Sequence, residues 1–158
     1  MTAVEALRRC ELFADLDDAE LELIAPLCRE RVYGVGETIF SAHDEAIELY
    51  FLQEGRVALM IQLRSGVERS GDVTLEDVEP GHVFGWSSVV KQQRFTASAL
   101  ALEPVTVCAV QASDLNDLFD QHTHIGFVVM KQLANVISSR LRHTRDELER
   151  RAASEGQH

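Results

Sequence analysis

Cysteine is scarce in this chain of 158 residues. Cys10, Cys28 and Cys108 are odd in number, scattered, and form no CxxC pair. That excludes a disulfide framework and the four-thiolate set an iron–sulfur centre needs, and it fits free thiols in a reducing compartment. Long apolar runs are also missing: none approaches the ~20 residues that span a bilayer. The N-terminus lacks the basic region and apolar stretch of a signal peptide. No membrane partner is expected, and the expected location is the cytoplasm. Basic charge is short too, with 15 Lys and Arg against 26 Asp and Glu, a net charge of −11. Phosphate-backbone binding requires clustered cations, so direct nucleic-acid binding is not expected. The late arginines (Arg140, Arg142, Arg145, Arg150, Arg151) alternate with Asp146, Glu147 and Glu149 and read as a solvated helix face. Catalytic signatures are lacking as well. There is no nucleophile elbow, no paired-carboxylate motif, and no third ligand beside His122 and His124, so an enzyme is not expected.

What is present suits one domain of ordinary size, with a hydrophobic fraction of 46 %. A short helix is predicted near Val4–Cys10. A second begins at Asp17 or Asp18 and carries Leu21, Ile24, Leu27 and Cys28 at helical spacing, with Pro26 set to kink or shorten it. From Arg31 the period shortens. Apolar segments around Val32, Ile39–Phe40, Leu49–Leu52, Val57–Leu63, Val73–Val78 and Val83 are punctuated by Gly34, Gly36, Gly55, Gly66, Gly71 and Gly81. Glu54-Gly55-Arg56 reads as a tight hairpin turn, Arg64–Gly71 as an exposed hairpin loop, and Phe95–Leu102 and Val105–Val110 as two further strands. The helical period returns at Ala112, with Ser113 as N-cap for Asp114–Asp120. A long helix is predicted from Ile125 to at least Leu148. Phe127, Met130, Ala134, Ile137, Leu141, Thr144 and Leu148 form a heptad seam along it, beside a second row of Ile125, Val129, Leu133 and Val136. Two apolar faces on one helix imply two partners: the β domain and a second copy of the helix. A homodimer is therefore expected.

Two stretches narrow the fold. Gly36-Glu37-Thr38-Ile39-Phe40, followed by Leu49-Tyr50-Phe51-Leu52 and Gly55, resembles the first signature of cyclic-nucleotide-binding domains. His43 and Ala46 stand where that family usually carries glycine. Pro80-Gly81-His82-Val83-Phe84-Gly85 resembles the second, the entry to the phosphate-binding cassette. Leu12-Phe13, Leu16 and Glu20-Leu21 look like the helical lead-in. The resemblance is to the sensor domains of catabolite-activator and fumarate–nitrate regulator type. It implies a mainly β fold: an antiparallel, jelly-roll-like β-roll with N-terminal helices and a long C-terminal dimerisation helix. Residues 1–158 then form one domain, with helices over 1–30, the roll over 31–111, the cassette at 80–97 and C-terminal helices over 112–150. The family's transcription factors continue into a helix-turn-helix module, and none is expected here.

The resemblance also implies a ligand and its contacts. A cyclic nucleotide, cyclic AMP or cyclic GMP, would sit between roll and cassette, and no other cofactor is implied. Its phosphate would meet the amides of Gly85–Ser88, the hydroxyls of Ser87 and Ser88, and Arg94, with Phe84 and Thr96 flanking. Arg94 falls slightly early relative to the family spacing, and a one-residue slip in an extended strand turns a side chain to the opposite face. The family's ribose-binding glutamate is replaced by Trp86, and an indole has one donor and no acceptor. Trp86 could stack on a flat ligand or pack as core. Two readings stay open. One is a regulatory sensor of a small anionic, nucleotide-like ligand that signals through its C-terminal helix to an effector protein. The other is a degenerate, non-binding domain that serves as a dimerisation or adaptor module.

Overall fold

The computed structural model describes residues 2–65, 68–90 and 94–155, with only the backbone of 63–65 and 68–72 described. Two helices lead in. α1 (Ala3–Arg8) and α2 (Asp18–Ile24) each open with a capping box, Thr2 with Glu5 and Asp17 with Glu20. Pro26 ends α2 at Ile24 by opening a single 3-10 turn, Ala25–Leu27, which leads straight into β1 (Cys28–Tyr33).

Seven further strands follow: β2 (Thr38–Phe40), β3 (Glu48–Glu54), β4 (Val57–Ser65), β5 (Glu68–Val78), β6 (Val83–Phe84), β7 (Ser98–Ala101) and β8 (Val105–Gln111). They form two antiparallel four-stranded sheets, ordered β1-β8-β3-β6 and β2-β7-β4-β5. The expected β-roll is therefore present. Three local expectations need correcting. Glu54-Gly55-Arg56 is a corner rather than a hairpin turn, because β3 and β4 belong to different sheets. Gly55 makes that corner at φ +92°, where a Cβ would lie 2.4 Å from the Pro104 carbonyl oxygen. Most of Arg64–Gly71 is strand, since β4 and β5 pair as far as Ser65↔Glu68, and Gly66 lies outside the described residues. The strand expected from Phe95 begins only at Ser98.

The continuous apolar run of β3 has a simple cause. Tyr50 and Leu52 point between the sheets, where they meet Phe40, Val57, Val78, Phe84, Phe95 and Val107. Leu49 and Phe51 point outward into a second core, built with Leu7, Phe13, Leu21, Ile24 and the C-terminal helices. A strand buried on both faces loses the alternation of a half-exposed one. The thiols of Cys10 and Cys108 are buried there. Burial pushes the Cys10 thiol up, while the neighbouring Cys28 thiol is the main influence raising Cys108, so both stay protonated.

α3 (Ala112–Gln121) begins one residue before Ser113, with Gln111 at its N-cap and no side-chain cap bond. α4 (Thr123–Glu155) is a 33-residue helix, roughly 50 Å long at 1.5 Å per residue. Its row of Ile125, Val129, Leu133 and Val136 is buried on the outer core. The heptad row is only partly turned away from the domain: Phe127 is 66 % exposed, Leu141 68 % and Leu148 61 %, whereas Ile137 packs against the outer core and Thr144 is half-buried.

Candidate functional site

The cassette follows β6. Gly85 takes a left-handed conformation (φ +75°), and a Cβ there would meet Tyr50 Cδ2 at 3.0 Å. That turn opens a single 3-10 turn, Trp86–Ser88. The Ser88 hydroxyl donates to the Gly85 carbonyl at 3.0 Å, so it is spent within its own turn. Ser87 is buried, as is Phe84.

Aromatic rings fill the interior beside this turn. The Phe40 and Phe95 rings stack with centroids 3.8 Å apart, and Tyr50 and Phe84 stack at 5.3 Å. What remains is a cavity of about 60 Å³ lined by Phe40, Leu59, Gly85, Trp86, Ser87, Phe95, Thr96 and Ala97. Sites for drug-sized or nucleotide-sized ligands run to about 300–1,000 Å³. Thr96 sits exposed at the rim.

Arg94 lies in the segment before β7, where its backbone bridges Glu45. Its guanidinium is exposed and donates to the His43 carbonyl at 2.7 Å. It does not line the cavity; its neighbour Phe95 does. The structure thus brings Phe84, Gly85, Trp86, Ser87 and Thr96 together and leaves Arg94 outside. The Arg31 guanidinium, by contrast, makes a bidentate pair with Glu48 at 2.7 Å, and the Tyr50 hydroxyl donates to the same carboxylate at 3.3 Å. The hydrogen bond to Glu48 raises the Arg31 pKa, and burial pushes the Tyr50 phenol up. This network braces the floor of the roll and has no hold on an anion, because its one cation is already matched.

One functional contact was not legible as sequence. Arg140 does not lie on a solvated helix face: its side chain is 12 % exposed. Its guanidinium carbon stands 4.8 Å from the Trp86 ring centroid. Its Nη2 meets Glu11 Oε2 at 3.0 Å, its Nε meets Glu76 Oε1 at 3.0 Å, and its Nη1 donates to the Val83 carbonyl. Glu11 also accepts from the Val83 amide at 2.7 Å. Burial raises the Glu76 carboxyl above its ordinary range, against the opposing pull of Arg140 and His82. Alongside Arg140 a groove of about 890 Å³ runs between α4 and β5, lined by Val73, Leu75, His82, Asn135, Ser139 and His143 among others. Gln132, the third polar residue of that helix region, instead donates to Asp15. No group of three or more His, Cys, Asp or Glu among the described residues could hold a metal, and no described helix is long and apolar enough to cross a membrane.

Comparison with known proteins agrees with this architecture. The profile of the cyclic nucleotide-binding domain matches residues 30–122, more than half of the chain. The chain belongs to the cyclic-nucleotide-binding domain family. It is 30 % identical over 138 residues to the Cyclic AMP receptor protein of Thermus thermophilus, covering 87 % of this chain and 60 % of that protein. It is 31 % identical over 130 residues to Glutaminase 2 of Bradyrhizobium diazoefficiens, covering 82 % of this chain and 19 % of that one. The chain therefore spans less than two thirds of either relative. A solved Geobacter metallireducens protein, named for cyclic-nucleotide binding, superposes with a TM-score of 0.74 at 33 % identity, covering 89 % of this chain and 99 % of the other.

Proposed function

We propose that this chain is a non-catalytic regulatory domain of the cyclic-nucleotide-binding family whose nucleotide site is closed, and that it works as a dimerisation or adaptor module through α4. The observation that carries this reading is the cavity of about 60 Å³ behind Trp86, walled by Phe40 and Phe95. A cyclic nucleotide needs an acceptor for its ribose and a cation for its phosphate. Trp86 replaces the first, and Arg94 spends its guanidinium on the His43 carbonyl. Loss of one charged hydrogen-bond partner costs about 1.5–3 kcal/mol, or one to two decades of affinity, before any steric exclusion.

The output surface in this reading is the heptad row Phe127, Met130, Ala134, Ile137, Leu141, Thr144 and Leu148, exposed except at Ile137 and Thr144, which are half-buried. Knobs at heptad spacing suit a second copy of the same helix, and a closed pair buries them on both protomers. The acidic surface would then face an effector protein. The likeness to the Cyclic AMP receptor protein favours a second reading, in which a small anionic ligand binds at Gly85, Ser87, Ser88 and Thr96 after Arg94 swings inward.

Calorimetric titration with cyclic AMP and cyclic GMP separates the two. No heat up to millimolar ligand is expected. Saturable heat at micromolar concentration would overturn the closed-site reading and establish the sensor.

A further inference from the structure

We infer that Trp86 and Arg140 form an internal latch, in which a side chain of the cassette holds the output helix in the place where a bound ligand would otherwise act. The inference rests on the closed-site reading above and extends it to how α4 is held. Arg140 joins four separate parts of the roll with one side chain. Glu11 comes from the lead-in between α1 and α2, Glu76 from β5, Val83 from β6 and Trp86 from the cassette turn. A guanidinium can do this because its planar fork carries five donors while its face stacks on an indole; a lysine offers neither the fork nor the plane.

Its position on α4 gives the contact leverage. Val136 is the last residue of the helix buried in the core. One turn on, Arg140 is nearly covered, whereas Arg145 is 75 % and Arg150 71 % exposed. The groove between α4 and β5 runs past it on both sides, from Asn135 to Arg151. Arg140 is therefore the final firm attachment before about four free helical turns. A shift of Trp86 changes the stacking member of the four contacts by which Arg140 sets the direction of that lever. Because the indole is covalently part of the cassette, the latch needs no small molecule, and the seam beyond Ile137 is held in a single orientation by default. Arg140 acts as a positioning residue: it touches no ligand and works through Trp86.

The chain carries one tryptophan, so the contact reports on itself. The Arg140→Gln variant of the full chain is expected to give red-shifted Trp86 emission and stronger acrylamide quenching. Backbone hydrogen exchange over 141–155 should rise about tenfold, with exchange in β3 and β8 unchanged. Arg140→Lys should behave like Arg140→Gln in fluorescence while recovering part of the exchange protection, because it keeps the charge between Glu11 and Glu76 but loses the stacking plane. Folded Arg140→Gln protein with wild-type emission, quenching and exchange would overturn the latch. If Arg140→Gln does not fold, exchange over 141–155 in Trp86→Leu decides the matter, with unchanged protection overturning it. Cyclic AMP heat with the wild-type chain would sink the closed-site reading alone, since the exchange measurement still tests the attachment of α4.

Discussion

In the closed-site reading Trp86 stands where the family resemblance places a carboxylate, and the consequence spreads one residue at a time. An indole beside the cassette turn cannot accept from a ribose, and the Phe95 ring, stacked on Phe40, lines the small cavity that Arg94 does not reach. Trp86→Glu alone is therefore expected to leave cyclic AMP affinity weaker than millimolar by calorimetry. Trp86→Glu combined with Phe95→Arg supplies both missing groups and should gain at least about tenfold in affinity over the single variant. Glu76 yields a pH test. Its carboxyl has a higher pKa folded than unfolded, so the folded state binds that proton more tightly. The resulting stabilisation is full below the unfolded value and is lost as pH rises through the folded one. Glu76→Gln removes this dependence. In urea melts the variant should therefore gain on wild type as pH rises from the ordinary glutamate range through the raised pKa, and the gain should level off above it. A variant that instead loses ground over that interval would mean that pairing with Arg140 outweighs burial. Neither Phe95 nor Arg140 was legible in the sequence. The first depends on a one-residue offset in a segment outside any strand. The second depends on partners at positions 11, 76, 83 and 86, which only the folded chain brings together.

Single elements were easier to read where their cause is local. The N-cap at Asp17, the shortening at Pro26 and the helical period of α4 each lie within a few residues of sequence, and the structure has each of them. The corner at Gly55 was harder to read, because a hairpin and a change of sheet call for the same glycine. Gly55→Ala tests the corner. With φ +92° and the Pro104 carbonyl in the way, it should cost at least about 2 kcal/mol in denaturant unfolding. On α4, the buried and exposed rows make opposite predictions. Leu133→Ala removes a fully buried side chain and should cost about 2–5 kcal/mol. Leu141→Glu lies on the exposed seam, so it should leave the melting of the monomer within about 0.5 kcal/mol while shifting the size-exclusion profile from dimer to monomer.

For the whole molecule, glycine punctuation between short apolar segments marked a β fold, and the resemblance of Gly36–Gly55 and Pro80–Gly85 to two family signatures narrowed it to the β-roll. Which surface is used was less legible, since a net charge of −11 excludes partners more readily than it selects one. If α4 pairs with its copy, Tm should rise with protein concentration over the micromolar range, and Leu141→Glu should abolish that rise.

The pairing of β1 with β8 carries a further meaning for how this chain acquires its shape. Cys28 meets Val110 and Tyr33 meets Val105, so the first strand waits for the last. Closing so long a loop draws on chain entropy before any contact returns it, and folds dominated by such pairings mature in milliseconds to seconds. On a ribosome, β1 would remain an unpaired edge while the rest of the roll is synthesised. α2 carries its own N-terminal capping box, yet its buried Leu21 and Ile24 join a core that also needs β3, β8 and the C-terminal helices. Birth order thus leaves the lead-in and the first strand alike waiting on the end of the chain.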